Sequence, residues 1–349
     1  MITVADLTER ELIARIQARV SIPSDRQTPP DWLVVGIGDD AAVVEPERNR
    51  LEVFTADSIV EGVHFDRRFT PPDAIGFRAL AVNLSDLAAM GASPRLALLS
   101  MALPPSLERD VFDRIIDGFA ALAERSRLQV IGGNLTRTPG PLLIDVTLVG
   151  TVKRRQALVR NGAKPGDEVY VSGTIGTAVA GLRMLKMDAR TGAARDDACI
   201  ARYLKPEPRL RLGTLLARNR AATACMDLSD GLADAVRQVA QASGVGMTID
   251  ASALPIDPAA HARLRASEQN DPGNADAEPL TAALASDDYE LLFTVSPKSR
   301  GRLRHVRRHA DVNVTKIGVC TADRRLVLTS PSGAGFEELV LPDGYTHFG

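Results

Sequence analysis

Strand-like and helix-like segments alternate through the first 152 residues, and this alternation limits the possible folds more than any other feature of the sequence. Short runs rich in branched residues predict strands, such as LLIDVTLVGTV and a run from Leu51 that we expect to end near Ala56. Longer stretches such as DAIGFRALAVNLSDLAAM have apolar residues three or four positions apart and predict helices. The resulting order, β-β-α-β-α-β-β, indicates a mixed α/β unit with helices on one face of a sheet.

A second α/β unit follows a domain boundary that we predict near residue 152. PGDEVYVSG predicts a turn and a short strand, and CMDLSDGLADAVRQVA predicts a strand, an acidic turn and a helix. The chain therefore divides into an N-terminal domain, residues 1–152, and a C-terminal α/β domain, residues 153–349. Residues 267–279 are polar and lack large apolar side chains, which predicts a flexible surface insertion.

The composition argues against nucleic-acid and membrane partners. The formal net charge is −2, so the chain has no general attraction for phosphate backbones. Aromatic residues make up only 4%, so it has few side chains on which bases could stack. No apolar run approaches the ~20 residues that span a bilayer. Widely spaced cysteines and an N-terminal segment without a secretory apolar region predict a cytoplasmic location.

Carboxylates recur at the predicted ends of strands and within one apolar helix. Asp40 and Asp57 follow strands, Asp86 interrupts the apolar helix, and Asp227 and Asp230 flank a strand-to-helix turn. Each of them alone is compatible with a helix cap or a turn. Because strand ends converge at one edge of a sheet, together they indicate an oxygen-rich site. Such a site suits Mg²⁺ and phosphate better than zinc.

Common nucleotide-binding and catalytic motifs are absent from the sequence. No G-x-x-x-x-G-K-[ST] occurs, which excludes a P-loop, and no protein-kinase motif set occurs. GIGDDAA lacks the third glycine of a dinucleotide fingerprint. His305 and His309 lie four positions apart without the glutamate of a zinc protease, which indicates a solvated basic helix face.

Several segments, taken in order, resemble thiamine-monophosphate kinase from nearly end to end. They are GIGDDAAVV, TADSIVEGVHF, ALAVNLSDLAAMGA, IGGN, RNGAKPGDEVYVSG, DLSDGL, DDYELLF and DGYTHF. The resemblance implies two mixed α/β domains of the aminoimidazole ribonucleotide synthetase type, with the N-terminal domain pairing across the two-fold of a homodimer. It also implies ATP-dependent phosphorylation of thiamine monophosphate to thiamine diphosphate, with several Mg²⁺ ions.

The resemblance further implies a set of site residues. Those expected to bind Mg²⁺ are Asp40, Thr55, Asp57, Asp86, Asn134, Asp227 and Asp230. Those expected to contact ATP are Gly133, Asn134, Arg160 and Ser229. Those expected to contact thiamine monophosphate are His64, Asp287 and Tyr345. The residues expected to carry catalysis are Asp40, Asp57, Asp86, Asp227 and Arg160.

Three positions depart from the family pattern. Asn134 replaces a common aspartate and offers an oxygen ligand without a charge. Ala56 stands where a hydroxyl is usual, and Asp287 is one methylene shorter than the usual glutamate. These changes bear on individual contacts rather than on the activity as a whole.

The implied reaction needs no covalent enzyme intermediate. The acceptor is already a phosphate monoester, which is largely ionised near neutral pH because its second pKa is near 6. The obstacle is repulsion between two anions. Metal ions and Arg160 are expected to offset that repulsion and to align the two phosphates in line.

Two alternatives stay open on the sequence alone. One is another ATP-dependent synthetase or kinase of the same superfamily. Selenophosphate synthetase usually carries an early reactive cysteine, whereas the first cysteine here is Cys199. The other alternative is a non-catalytic protein that binds thiamine phosphate or a nucleotide, with Asn134 as the trace of lost turnover.

Overall fold

The computed structural model describes residues 2–20, 30–191, 197–270, 278–332, 335–339 and 341. Its contacts divide the chain into two compact units. The first comprises Met1–Leu87 and Ser93–Arg154, and the second comprises Ala88–Ala92 and Arg155–Gly349. Both combine helices with sheets, which confirms the mixed α/β class predicted from the sequence. Within the described ranges, no helix has both the length and the apolar character that a bilayer span requires.

The first unit follows the predicted alternation, with an initial helix and one more strand, because a hairpin precedes the main sheet. Its elements are α1 (Glu9–Val20), β1 (Leu33–Val35), β2 (Val43–Val44), β3 (Arg50–Val60), α2 (Pro72–Ala89), β4 (Ser93–Leu103), α3 (Arg109–Arg125), β5 (Gln129–Arg137) and β6 (Leu143–Lys153). β1 and β2 form the hairpin, and the sheet has the order β3-β6-β4-β5. The last residues of α2 belong to the second unit.

The prediction that β3 ends near Ala56 is wrong, because the strand continues to Val60. Its ladder with β6 is regular from Arg50 opposite Lys153 to Val60 opposite Leu143. Asp57 therefore lies within the strand rather than after it. A regular partner strand satisfies the backbone of polar residues as well as apolar ones, so a local loss of hydrophobicity does not end a strand.

Helices cover one face of this sheet. Ile144, Val146 and Leu148 alternate along β6 and are buried on that side. A Cβ added at Gly76 of α2 would lie 1.8 Å from the Ile115 carbonyl oxygen of α3. The two helices therefore cross in backbone contact, which only glycine permits at this position.

The described part of the second unit forms a seven-stranded sheet with helices packed on it. Its elements are β7 (Glu168–Ser172), α4 (Thr177–Thr191), α5 (Ala198–Leu204), α6 (Leu210–Asn219), β8 (Ala224–Asp227), α7 (Leu232–Ser243), β9 (Gly246–Asp250), α8 (Pro258–Asn270), α9 (Pro279–Leu284), β10 (Leu291–Val295), α10 (Arg300–His309), β11 (Val314–Thr321), β12 (Leu326–Ser332) and β13 (Gly335–Leu339). The strand order is β13-β12-β9-β11-β7-β10-β8, and only the β12–β9 pair is parallel among the strands described.

Alternate residues of β7 enter two apolar clusters on opposite sides of this sheet. Val169 and Val171 pack in the cluster that includes α7, whereas Tyr170 packs in the cluster that includes α6 and α10. Burial on both sides explains why β7 and β10 consist almost entirely of buried residues. Of the predicted insertion, 267–270 belong to α8 and 279 begins α9, whereas 271–277 lie outside the described residues.

An acidic side chain at the start of β7 joins three elements of this unit. The buried carboxylate of Glu168 accepts hydrogen bonds from Arg300 (2.6 Å), Lys316 (2.7 Å) and the Tyr170 hydroxyl (3.0 Å). The hydrogen bond from Arg300 is the largest cause that lowers the pKa of Glu168, to about 2. The ionised form is therefore favoured by folding.

We predict that Glu168→Gln lowers the free energy of unfolding by about 1–2 kcal/mol at pH 7, since both cations are partly solvated and their attraction is screened. Because folding lowers the pKa from 4.5 to about 2, this stabilisation is present above pH 4.5 and is lost as the pH falls towards 2. Urea titrations of both proteins from pH 7 to pH 3 measure it. A double variant with Arg300→Gln should lose less than the sum of the single losses, and an equal loss at every pH would contradict the prediction.

Candidate active site

Three of the predicted Mg²⁺ ligands lie together between β3 and α2. Thr55 and Asp57 are two residues apart on one face of the strand, and Asn83 and Asp86 are three residues apart on one face of the helix. The Thr55 hydroxyl donates a hydrogen bond to the Asp86 carboxylate. The Asp57 backbone N–H donates to the Asn83 side-chain oxygen at 3.1 Å. We call Thr55, Asp57, Asn83 and Asp86 the β3–α2 cluster.

Asn83 is the member of this cluster that sequence reasoning missed. It is fully buried, and its amide group also donates to the Ala79 carbonyl oxygen at 3.2 Å. The signal was available, because Asn83 and Asp86 are the polar residues of the same helical face in VNLSDLAAM. Asn83 joins the strand at Asp57 to the helix that carries Asp86.

The chemistry of the β3–α2 cluster fits a hard divalent cation. Its donors are oxygen atoms only, from a hydroxyl and two half-buried carboxylates. Within the residues that the structure describes, no three His, Cys, Asp or Glu side chains already form a metal-binding group. A Mg²⁺ ion at this cluster would therefore complete its coordination with water and phosphate oxygens, as Mg²⁺ commonly does in proteins.

Asp40 lies in the exposed turn of the β1–β2 hairpin and is not part of the β3–α2 cluster. Its backbone N–H donates to the Asp39 carboxylate at 2.8 Å, and Gly38 has a φ of +121°. Leu33 and Val44 of the hairpin pack on the main sheet. The hairpin thus presents Asp40 to solvent on a supported turn.

Asn134 lies on the other face of the sheet from Thr55 and Asp57. The register aligns it with Ser100, Asp145 and Ser58 across the sheet, and the Ser58 hydroxyl donates to Asp145 at 2.5 Å. Side chains at paired positions share a face, and neighbours along a strand alternate. The sheet therefore separates Asn134 from Asp57. The sequence motifs alone do not indicate this separation.

Gly133 lies where two strands are very close, and His64 is held by a hydrogen bond from the backbone. A Cβ at Gly133 would lie 1.7 Å from the Leu99 carbonyl oxygen, so the adjacent strands approach closely there. The Nδ1 atom of His64 accepts the Val60 backbone N–H at 3.0 Å. In the neutral ring the proton is consequently on Nε2.

In the second unit, the Asp227–Asp230 turn lies beside the segment that carries Asp287. The Leu228 N–H donates to the Glu290 carbonyl oxygen at 2.8 Å, and the Tyr289 N–H donates to the Leu228 carbonyl oxygen at 3.1 Å. Asp227 is buried at the end of β8, whereas Ser229, Asp230 and Asp287 are half-buried. The structure thus brings together two predicted metal ligands, a predicted ATP contact and a predicted substrate contact.

Arg160 lies on the surface beside α7. Its guanidinium donates to the Gln238 side chain at 2.6 Å, and Gln238 donates to Asp234 at 2.5 Å. These hydrogen bonds orient an exposed cation, which is chemically suited to phosphate oxygens. Tyr345, the last of the predicted contacts, lies outside the described residues.

Two buried acids next to Asp287 have roles that the sequence did not reveal. Asp288 is fully buried and accepts the backbone N–H groups of Gly176 (2.6 Å) and Ala178 (2.8 Å) where α4 begins. Burial raises the pKa of Asp288 to about 6, although these hydrogen bonds oppose the shift. Glu290 is also fully buried and is bound by Arg202, Arg209 and the Ser172 hydroxyl.

Comparison with known proteins gives one consistent family. Residues 38–152 match AIR synthase related protein, N-terminal domain, and residues 164–330 match AIR synthase related protein, C-terminal domain. Thiamine-monophosphate kinase of Escherichia coli K12 is 40% identical over 292 residues, which cover 83% of this chain and 85% of that protein.

Two solved structures resemble the chain over nearly its whole length. Thiamine-monophosphate kinase from Stenotrophomonas maltophilia K279a has a TM-score of 0.76 and 39% identity, and covers 92% of this chain and 96% of its own. AaThiL complexed with AMPPCP and TMP has a TM-score of 0.72 and 31% identity, and covers 100% of this chain and 99% of its own. The chain therefore belongs to the thiamine-monophosphate kinase family of AIR synthase related proteins.

Proposed function

We propose that the chain transfers the γ-phosphoryl group of ATP directly to the phosphate of thiamine monophosphate, yielding thiamine diphosphate and ADP in the last step of thiamine diphosphate biosynthesis. The observation that carries this proposal is the 31% identity, over the whole chain, to AaThiL, which was solved with AMPPCP and TMP. The relatives named thiamine-monophosphate kinase support the same activity.

We assign the proposed contacts to each unit separately. Residues 1–152 would bind ATP and Mg²⁺ and form the dimer, and residues 153–349 would supply the remaining contacts. The proposed Mg²⁺ ligands are Asp40, Thr55, Asp57, Asp86, Asn134, Asp227 and Asp230. When bound, Mg²⁺ would neutralise charge on the phosphate oxygens that otherwise repel each other. The oxygen chemistry of the β3–α2 cluster supports this assignment for Thr55, Asp57 and Asp86.

The remaining chemistry is positioning rather than proton transfer. The acceptor phosphate is largely ionised near neutral pH, so it attacks without a strong general base. The exposed guanidinium of Arg160, oriented by Gln238, would offer N–H donors to the phosphates. Gly133, with Asn134, and Ser229 would complete the ATP contacts.

The proposed acceptor contacts suit the charges of thiamine monophosphate. His64 would donate its Nε2–H to the phosphate, because its Nδ1 atom already accepts a backbone N–H. Asp287 would place a carboxylate near the cationic thiamine, and Tyr345 is the third proposed contact. Opposite charges at the two ends of one ligand would fix its direction in the site.

We also propose a homodimer that pairs through the exposed face of the first unit's sheet. Phe54 on β3 is 66% exposed and Leu98 on β4 is 37% exposed, which is unusual for large apolar side chains on a sheet face. Val34 and Val43 of the hairpin are exposed as well. A cytoplasmic location is proposed too, supported by three free, buried cysteines, which suit a reducing compartment.

The direct test of the proposed activity is ADP release in the presence of ATP and Mg²⁺. We expect turnover with thiamine monophosphate and none above background with thiamine or with simple phosphate monoesters. Binding of thiamine monophosphate without ADP release would instead identify a non-catalytic binding protein.

We predict that Asp86→Asn lowers kcat/KM by roughly 10²-fold or more, because the variant loses a charged oxygen of the β3–α2 cluster. The matched control is Asp110→Asn, which removes a largely exposed acid of the same unit and should leave the rate within about two-fold. Circular dichroism verifies that both variants are folded. Full activity of Asp86→Asn would refute its assigned role.

We predict that Phe54→Asp converts the dimer to a monomer at micromolar concentration, because a charge would be buried at the proposed interface. Sedimentation velocity measures the change. Met187→Asp, at an exposed apolar position of the second unit, is the control and should stay dimeric. A dimer that survives Phe54→Asp places the interface elsewhere.

A further inference from the structure

The residues on either side of Asp287 are fixed by hydrogen bonds to two other parts of the unit, the start of α4 and the turn after β8. The Ser286 hydroxyl accepts the Val179 N–H of α4 at 3.1 Å, and the Asp288 carboxylate accepts two N–H groups where that helix begins. Tyr289 has a φ of 53° and pairs with Leu228 after β8. Such a backbone conformation costs free energy for a residue with a side chain and persists only where its surroundings determine it.

Two arginines from neighbouring helices converge on the next residue, Glu290. Arg202 of α5 and Arg209, which caps α6, both donate to its buried carboxylate, and the Arg209 Nε contact is 2.7 Å. The Ser172 hydroxyl completes the set at 2.5 Å. A buried carboxylate with two cationic partners is stable only while those partners remain in place.

Arg202 differs from Arg209 in one respect. Its Nη2 atom also donates to the Asp288 backbone carbonyl oxygen at 2.9 Å, whereas the described contacts of Arg209 are to the Glu290 side chain. The Nε atom of Arg202 is buried without a hydrogen-bond partner in the described structure. In this orientation the guanidinium donates to Asp288 and Glu290, and its Nε–H donor is left without a partner in the described structure.

We infer that Arg202 is a positioning residue for the acceptor substrate, because its bridge between the Asp288 carbonyl and Glu290 fixes the backbone next to Asp287, beside the Asp227–Asp230 turn. The inference rests on the proposed function, in which Asp287 contacts thiamine monophosphate. Arg202 does not itself touch the substrate in this scheme. It acts through Asp287, and it affects acceptor binding rather than ATP binding.

The test compares Arg202→Lys with Arg209→Lys in the full-length protein. Both variants keep a cation for Glu290, but only the first removes the planar fork that reaches the Asp288 carbonyl. We expect Arg202→Lys to raise the KM for thiamine monophosphate by roughly ten-fold, the effect of one lost hydrogen bond from a charged donor. The kcat and the KM for ATP should stay within about two-fold, and Arg209→Lys should leave all three parameters within that range.

Adding Arg202→Lys to a second variant, Asp287→Asn, distinguishes a positioning role of Arg202 from a general effect on stability. If Arg202 acts through Asp287, Arg202→Lys should add no further rise in KM to the variant Asp287→Asn. Additive effects, an unchanged KM in Arg202→Lys, or equal changes in both lysine variants would overturn the inference. So would failure of Arg202→Lys to fold, because Arg202 would then be a structural residue. Absence of binding and turnover in the wild-type protein would instead refute the proposed function.

Discussion

The burial of carboxylates is the constraint on which the rest of this structure depends. An ionised acid away from water is tolerated only with donors that replace its hydration. The chain meets this requirement with the start of a helix for Asp288 and with cationic side chains for Glu168 and Glu290, and a hydroxyl donates to the half-buried Asp86. Each solution joins parts of the chain that are distant in sequence, so these acids help to organise the fold.

Neighbouring residues of one short motif have different surroundings in the segment that precedes β10. In DDYEL, Asp287 is half-buried, whereas Asp288 and Glu290 are fully buried with different partners. The other two acids fix the backbone around Asp287. A substrate contact on such a segment loses little conformational freedom on binding, which is the physical advantage of a preorganised site.

Sheet register has a similar effect in the first unit. Asp57 and Ser58 are neighbours in sequence, yet one faces the helix α2 and the other faces Asp145 on the exposed side. Three predicted ligands, Thr55, Asp57 and Asp86, lie in one cluster because alternate residues of the strand β3 lie against residues three apart on the helix α2. Asn134 follows the other face of the sheet with Ser100. Any metal assignment for Asn134 therefore concerns a different surface of this unit from the β3–α2 cluster.

Periodicity and motif order by themselves determined the α/β class, most strands and helices, the oxygen-rich chemistry and the family. These are properties of residues close together in the chain, and hydrophobic spacing reports them directly. Only the tertiary structure decided that β3 continues through Asp57, that Asn83 joins the site, and that Arg202 and Arg209 converge on Glu290. Those facts depend on partner strands and helices tens to about a hundred residues away, and no local pattern encodes which distant group will satisfy a buried charge.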